Sequence, residues 1–325
     1  MFNQADAMPK KKIIYAFILA LMSTMFLSSG LIINSLNSYR GNNWAWTASL
    51  RFLLSVPVLF ILVCARGKFM GLIKAMKKLP KTFLLWGNLG FGVYYALLSY
   101  AIVMIPGWLV TAGFMTTVLA GVLIAPFIYD DHRATISKKA IILSVLLVIG
   151  LLVMQMERLS HLENLGLAIN GILMAILAAF LWPLGNRKLM LKLEKENITL
   201  DATQRILGMT IGALPILICL AVYGFYTSGF PSVMQLETSF LAVLLSGVVG
   251  SVLFFKAMQM VSKNQIALLT VEAIQVVGVL FTLLGEMVIK GTVWPGFYGN
   301  LGFLLMGVGL CSYGFLALNS KYNPA

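Results

Sequence analysis

Charged residues are scarce in this sequence, and acidic residues are scarcer than basic ones. Only 11% of the 325 residues are Asp, Glu, Lys or Arg, and 11 acids stand against 24 bases. Soluble domains carry about 25% charged residues, whereas 60% of the residues here are hydrophobic. A soluble core of this length could not bury so many apolar side chains, so the composition excludes an ordinary soluble protein and predicts an integral membrane protein.

Cysteine and histidine are nearly absent as well. Cys64, Cys219 and Cys311 are scattered through apolar runs, so they form neither a disulfide framework nor a paired metal motif, and we interpret them as small core residues. The two histidines, His132 and His161, fall in predicted loops and make no metal site. Because the glycine-rich patterns lie inside apolar runs, where they cannot cradle phosphates, we expect no metal, no cofactor and no direct use of ATP.

Long apolar runs dominate the chain. A run of about 20 residues is needed for a helix to cross a hydrocarbon core of about 30 Å. The first run is longer than the h-region of a signal peptide, which has about 7–15 residues, so we interpret it as a retained span. Ten runs of this kind predict an all-α membrane protein with spans at about 13–34, 44–64, 83–105, 108–129, 138–156, 165–185, 203–226, 239–261, 264–285 and 297–318.

The basic residues fall mostly on one side of the predicted membrane. If the ten spans alternate in direction, 20 of the 24 Lys and Arg lie on the side of the termini, and only Arg40, Arg51, Arg158 and Lys290 lie on or towards the other side. Basic residues are enriched on the cytoplasmic side. We therefore expect a multi-pass protein of the cell membrane with cytoplasmic tails at 1–12 and 319–325. The net charge of +13 is then a topology signal, and we expect no nucleic-acid partner.

The two halves of the chain correspond at an offset of about 155 residues. Residues 13–156 and 165–318 each contain five predicted spans, Gly30 falls on Gly185, and Asp131 falls on Glu286. Because five is an odd number, the second copy enters the membrane from the opposite face. Inverted repeats of this kind recur in transporters, with the substrate site near the midplane where the copies meet.

The order of these features resembles the drug/metabolite transporter superfamily, the EamA-like proteins. The similar residues are Arg51-Phe-Leu-Leu in the second span, Gly285-Glu286 at the end of the ninth, and 302–310 in the tenth. Within the superfamily, the chain is most similar to the multidrug resistance efflux group. This resemblance implies a 5+5 inverted repeat and secondary transport out of the cell. Two departures are Asp130-Asp131 in place of Gly-Glu and the lack of any acid in spans one and six, so proton coupling cannot be carried over from the small multidrug pumps.

Glu272 is the acid nearest the middle of a predicted span. It lies about eight residues, or about 12 Å, inside the ninth span. At 100° per residue, it shares one face with Gln265, Gln275, Thr282 and Glu286, and this face should look into the bundle or an aqueous cavity. An acid at this depth costs about 2.5–3.5 kcal/mol on insertion scales. Either a structural hydrogen bond between helices or binding of substrate or proton could justify that cost.

Arg51 is the basic residue placed most deeply on the outer side. It could snorkel towards the surface, pair with another helix, or supply a positive charge for Glu272 or for an anionic group of the substrate. Direct pairing with Glu272 predicts that loss of both charges is tolerated better than loss of one.

Aromatic and polar residues of two other spans are further candidates for the binding site. Asn88 and Tyr95 fall on one face of the third span, with Tyr94 beside it, and Trp182 precedes Pro183 in the sixth. Aromatic side chains lining a pore can stack on planar or cationic substrates, although core packing explains them equally well. The proline marks a kink that could serve as a hinge or be static.

These features together predict an exporter of small organic molecules, coupled to a proton gradient, that works by alternating access around a midplane site. We expect a monomer or homodimer that interacts with the lipid bilayer and a small-molecule substrate, and no enzymatic activity. The alternatives are a non-transporting membrane subunit and an intramembrane lipid-handling enzyme. The second alternative would require a catalytic cluster, whereas Glu272 stands alone in the sequence.

Overall fold

The computed structural model describes residues 9–135, 138–159, 165–262 and 264–319. Every regular element within these ranges is helical. Most of the predicted tails, 1–12 and 319–325, and the predicted loop residue His161 lie outside the described residues. The first helix begins at Lys10, three residues before the predicted span.

The main helices form one bundle. A short helix, Phe69–Lys78, connects the second of these helices to the third. The bundle helices of the described residues are α1 (Lys10–Tyr39), α2 (Trp44–Ala65), α3 (Pro80–Met104), α4 (Gly107–Ile128), α5 (Lys138–Leu159), α6 (Leu165–Lys195), α7 (Ala202–Gly212), α8 (Leu214–Ser228), α9 (Val233–Val261), α10 (Gln265–Lys290) and α11 (Phe297–Asn319).

The membrane-protein class predicted from composition is confirmed. Within the described residues, eight helices are long and apolar enough to cross a membrane, and nine if the bent pair α7–α8 is one span. The 22-residue helix α5 occupies the place of the predicted fifth span. It lies against α11, where Ser144 and Tyr313 hydroxyls are 2.6 Å apart.

The predicted seventh span is broken. Helices α7 and α8 meet at an angle of 54°, and Pro215 lies in the first turn of α8. Proline has no backbone N–H to donate, so the α-helical hydrogen bond to Ile211 cannot form. The sequence pattern of apolar residues continues through the break and for that reason did not reveal it.

Two opposite ends of the bundle are defined by side-chain contacts. At the end that we call the basic end, Lys68 pairs with Asp201 at 2.8 Å and Arg133 pairs with Glu194 at 3.0 Å. Burial lowers the pKa of the Arg133 guanidinium, but hydrogen bonds to Asp131 and Glu194 outweigh this effect and raise the pKa above its ordinary value. The connections that carry most of the predicted cytoplasmic charge therefore meet at one end.

Residues from distant parts of the chain also meet at the other end, which we call the opposite end. Asn43 Nδ2 donates to Thr227 Oγ1 at 3.0 Å, and Trp46 Nε1 donates to the Gly229 carbonyl at 2.9 Å. The α1–α2 and α8–α9 connections are thus neighbours, although they are far apart in sequence.

Helices α3 and α9 each contain one π-helical turn. These turns begin at Asn88 and Val243, which are 243 − 88 = 155 positions apart. The spacing equals the offset between the two halves that the sequence indicates. A π-helical turn contains extra backbone and changes the direction of the side chains that follow it.

The three cysteines are exposed on the surface of the bundle, so the interpretation of Cys64, Cys219 and Cys311 as core residues was wrong. Large apolar side chains such as Phe127 and Val288 are exposed on the same surface. In a membrane protein the core and the lipid-facing surface are both apolar, so residue type alone cannot separate them.

Candidate functional site

A cavity with a free volume of about 40 Å³ lies at the centre of the bundle. It is bordered by α1, α2, α3, α4, α6 and α10. Its lining residues are Thr24, Leu27, Ser28, Leu31, Arg51, Tyr94, Tyr95, Leu98, Phe114, Met115, Trp182 and Gln275. Five of the seven predicted site residues thus belong to this central cavity.

The central cavity has an aromatic wall built from α3, α4 and α6. The rings of Tyr94 and Trp182 have centroids 4.9 Å apart, and Tyr94 stacks with Phe114 at 6.0 Å. Behind the cavity, Phe91 stacks on Trp182 at 5.7 Å. The wall presents flat apolar faces of the kind that accept planar groups.

Arg51 of α2 points into the same cavity. Its side chain is buried, with 6% of the residue exposed, and its Nη1 donates to the Tyr95 hydroxyl at 3.0 Å. That hydroxyl in turn donates to Asn34 Oδ1 at 3.0 Å. The guanidinium carbon is 4.4 Å from the centre of the Tyr95 ring, a cation–π distance. Of the alternatives for Arg51, snorkelling to the surface is therefore excluded, whereas contact with another helix is observed.

Gly30 of α1 makes room for this guanidinium. A Cβ added at Gly30 would overlap Arg51 Nη1 and would also crowd the Ser246 hydroxyl at 2.7 Å. The close approach of helix backbone and guanidinium explains why a residue without a side chain occupies this position.

Gln275 connects the central cavity to Glu272. It lies in a 3₁₀ turn within α10, and its buried Nε2 has no protein hydrogen-bond partner. Gln275 and Trp182 also line a second, much smaller space with a free volume of about 10 Å³, to which Glu272 contributes. The two α10 residues therefore face the bundle interior, and the predicted polar face of the ninth span is confirmed in this part.

Glu272 forms an ion pair with Arg187 of α6. Arg187 Nη2 lies 2.5 Å from Glu272 Oε2, and Arg187 Nε donates to Oε1 at 3.2 Å. Arg187 Nη1 donates to the Gly121 carbonyl of α4 at 2.5 Å. The sequence left open whether Glu272 pairs with Arg51. The structure shows another partner for each residue: Arg187 for the acid and Tyr95 for the base.

Arg187 also lines a cavity at the basic end. That cavity has a free volume of about 270 Å³ and is lined by Arg187 together with Tyr129, Arg133 and Leu268. Along α10, Gln275 lines the central cavity and Glu272 lies one turn nearer the basic end. The ion pair and the bond from Arg187 to the Gly121 carbonyl thus join α4, α6 and α10 between the two cavities.

A second polar contact joins α1 and α10 towards the opposite end. The Ser35 hydroxyl donates to Glu286 Oε1, and Lys290 Nζ donates to Ser35 Oγ at 2.5 Å. Lys290 Nζ is also 3.7 Å from Glu286 Oε1. Helix α10 thus carries one buried carboxylate on each side of Gln275, and each carboxylate has a basic partner.

Asn88 does not line the central cavity. Its Nδ2 donates to the Gly212 carbonyl at 3.0 Å, and its Oδ1 accepts from the Ile216 N–H at 3.3 Å. These two backbone groups would bond to each other in an unbroken helix, so Asn88 bridges the break between α7 and α8. Sequence arithmetic placed Asn88 on the face of Tyr95 because it assumed a regular helix, whereas the π-helical turn at 88–93 rotates the two residues apart.

Arg187 is the functional residue that the sequence analysis missed. The predicted sixth span ended at 185, and Arg187 was counted with the cytoplasmic charges. In the structure α6 continues to Lys195, and only 2% of Arg187 is exposed. Its position two residues after the small residue Gly185, still within a helical pattern, is the one signal that could have placed it inside the bundle.

Comparison with known proteins places the chain among transport proteins. Residues 14–319 match the family described as "Putative multidrug resistance efflux transporter". The protein YjlA of Bacillus subtilis (strain 168), which is described as uncharacterized, is 34% identical over 317 residues, covering 94% of this chain and 96% of YjlA. An uncharacterized 42.1 kDa protein of Shouchella clausii is 30% identical over 248 residues, covering 74% of this chain and 64% of that protein.

A solved structure has the same overall fold. It matches 94% of this chain and 99% of its own, with a TM-score of 0.66 and 15% sequence identity. At this identity the likeness concerns the fold and not the activity.

Proposed function

Because the chain belongs to the EmrE-like multidrug resistance efflux transporter family, we propose that it is a secondary active transporter that exports small organic molecules. Substrate binds in the central cavity, and the protein alternates between states open to either side. The observation that carries this proposal is the central cavity itself. It lies between two buried polar contacts of α10, which we call closures: Arg187–Glu272 towards the basic end and Ser35–Glu286 towards the opposite end.

The proposed architecture is ten spans arranged as a 5+5 inverted repeat. Helix α5 supplies the fifth span and the bent pair α7–α8 the seventh. The π-helical turns at the repeat-related positions Asn88 and Val243 support this arrangement, since a shared irregularity at the same offset is unexpected for unrelated helices. Rocking of one repeat against the other would then open the two ends in turn.

The two closures divide the transport cycle between them. In the proposed cycle, the Arg187–Glu272 closure blocks the passage towards the basic end. The Ser35–Glu286 closure connects α1 to α10 towards the opposite end. Export from the basic end requires the first closure to open for substrate entry and the second to open for release. With the basic end in the cytoplasm of the cell, this direction is outward.

Glu272 is the proposed coupling site for protons. Protonation removes the charge that holds Arg187, so a proton at this carboxylate weakens the closure at the basic end. The cost of leaving Arg187 buried without its partner favours a different arrangement of α6 and α10. Proton entry and opening of the passage are thereby linked through one side chain.

The test is comparison of the small molecules released by cells that produce the protein. We would compare the medium and the cell extract by mass spectrometry for cells with the wild-type chain, Glu272→Gln, and an empty vector. Glu237→Gln, which changes an exposed acid, is the matched control. The amount of each protein in the membrane is measured by immunoblot.

If the protein is an exporter, at least one compound should rise in the medium and fall in the extract of cells with the wild-type chain or with Glu237→Gln, relative to the empty vector. A protonophore should reduce both changes. Glu272→Gln should abolish the difference. Identical profiles for the wild-type chain and the empty vector would refute the transport function.

A further inference from the structure

We propose that the central cavity selects organic anions with a planar apolar ring, and that the Arg51 guanidinium receives their anionic group. The inference rests on the transport function proposed above and specifies its substrate class. It distinguishes this cavity from one that takes lipophilic cations, which would require an unpaired acid.

Arg51 has donors left over. A guanidinium carries five N–H donors in a planar fork, and the protein uses Arg51 Nη1 for the Tyr95 hydroxyl. Arg51 Nε is buried and has no protein partner. Among the ion pairs formed by described residues, none includes Arg51. A buried cation without an anion is costly, and this cost is lowered when a ligand brings the anion.

The Tyr95 ring does not replace a counter-ion. It offers the face of its π-system to the Arg51 guanidinium at 4.4 Å, which is attractive but leaves the charge in place. The Tyr95 hydroxyl gives its proton to Asn34, so this chain of hydrogen bonds fixes the ring and the guanidinium. The planar donor edge is preorganised to meet a carboxylate or sulfonate at two points.

The remaining polar groups of the central cavity also favour an acceptor-rich ligand. The Thr24 and Ser28 hydroxyls donate to the carbonyls of Ala20 and Thr24 within their own helix. Gln275 Nε2 is a second buried donor without a partner. Glu272, the nearest carboxylate along α10, is already neutralised by Arg187. A cationic ligand would meet Arg51 without a free acid among the described residues that line the cavity.

The aromatic wall accounts for the rest of the ligand. Tyr94, Phe114 and Trp182 present ring faces to the cavity, where a planar ring can stack in an offset or tilted geometry. In this structure the free volume of the central cavity is about 40 Å³, below the roughly 300–1,000 Å³ of small-molecule sites, so the lining side chains and helices must move apart to admit the ring. An aromatic ring that carries one anionic group therefore matches both the wall and the guanidinium.

Three probes of nearly equal shape test this proposal on the wild-type protein. They are 2-naphthoate, 2-naphthamide and 2-naphthamidinium, which carry one negative charge, no charge and one positive charge at pH 7. Dissociation constants are measured by calorimetry with the purified full chain in detergent, and the shift in melting temperature is recorded at saturating probe. We expect 2-naphthoate to bind at least about tenfold more tightly than either of the other two.

Substitution of Arg51 then locates the preference. Arg51→Met removes the charge but keeps an unbranched apolar side chain, and should abolish the preference for 2-naphthoate. Arg205→Met is the matched control, because Arg205 is also a buried arginine beside an aromatic ring, Phe255, but does not line the central cavity. The control should retain the tenfold preference. If Arg51→Met does not fold, the wild-type comparison alone decides.

The outcomes separate this inference from the transport function. Equal binding of 2-naphthoate and 2-naphthamide, tighter binding of 2-naphthamidinium, or no binding of any probe would overturn the anion site. So would an unchanged preference in Arg51→Met. Export of cations or neutral compounds in the cell experiment would leave the transporter standing and overturn the anion site. Tight binding of 2-naphthoate without any export would support the anion site and overturn the transport function.

Discussion

The guanidinium of Arg187 and the carboxylate of Glu272 form a two-point ion pair between α6 and α10, and both residues are almost fully buried. The acid that stands alone in the sequence is thus already neutralised within the protein. Arg51 is therefore the charged residue of the central cavity that lacks an opposite charge among the described residues. For this reason we expect the site to prefer anions over cations. In the proposed transport cycle, the ion pair is also the contact that must break for a passage to open.

Loss of either member of this ion pair should destabilise the protein strongly. Glu272→Gln and Arg187→Met each leave a buried group without its partner, at an expected cost of about 3–5 kcal/mol. The double variant, Arg187→Met with Glu272→Gln, removes both charges and should recover most of the loss. Melting temperatures in detergent give the comparison.

An exposed ion pair is the control for this experiment. Asp130 pairs with Lys195 at 3.0 Å, and both side chains are more than half exposed. Asp130→Asn should therefore cost less than about 1 kcal/mol. If the losses of the two buried single variants simply added in the double variant, Arg187 and Glu272 would be energetically independent.

Gly121 should not tolerate a side chain. A Cβ at this position would lie 2.6 Å from Glu272 Oε2 and 2.8 Å from Arg187 Nη2. Gly121→Ala should therefore displace the ion pair and lower the melting temperature, at a cost of about 1–3 kcal/mol for overpacking. Gly307→Ala in α11 is the control, since a Cβ there meets nothing within 4 Å. Equal melting temperatures for the two variants would contradict the tight contact at Gly121.

The bridge at the break between α7 and α8 should depend on the Asn88 amide. Asn88→Ala leaves the Gly212 carbonyl and the Ile216 N–H without their side-chain partner, which should cost about 1–3 kcal/mol. Asn319→Ala, which removes an exposed amide that bonds within its own helix, is the control. Hydrogen exchange at residues 212–216 should rise in Asn88→Ala only. Unchanged exchange there would show that the break holds without the amide.

The basic end should lose stability in acid through Asp201. Burial raises the pKa of this carboxyl, but hydrogen bonds from Lys68 Nζ and the Gln204 N–H outweigh that effect, so the pKa lies below its ordinary value. A lowered pKa stabilises the folded state above the ordinary value of about 3.9, and this stabilisation disappears as the pH falls through the folded pKa.

Asp201→Asn tests this expectation, because asparagine keeps the helix cap but not the charge. The variant should melt below the wild-type protein at pH 7, by less than about 1 kcal/mol for a partly exposed ion pair. The difference should shrink as the pH falls towards about 3. Glu237→Gln controls for the loss of one negative charge. A difference that grows in acid would reverse the sign and contradict the stated pKa shift.

Local sequence reasoning succeeded where it depended on hydrophobic length. The turn between α3 and α4 at Ile105-Pro-Gly107, the positions of the long apolar helices and the inward face of α10 follow from run length and helical period. Tyr94, Tyr95 and Trp182 line the central cavity, and their role in substrate binding stays a prediction. Asn88 was misplaced because a π-helical turn interrupts the period, and no residue type announces such a turn.

The sequence by itself determined that this protein belongs in a membrane, where along the chain most of its long helices lie, and that a few polar residues lie at depth among them. These properties follow from transfer of side chains and backbone between water and hydrocarbon, which depends on local composition. Only the tertiary structure decided that Glu272 meets Arg187 and that Arg51 meets Tyr95. Pairing between helices depends on their rotation and crossing, and an apolar stripe looks the same whether it faces lipid or another helix.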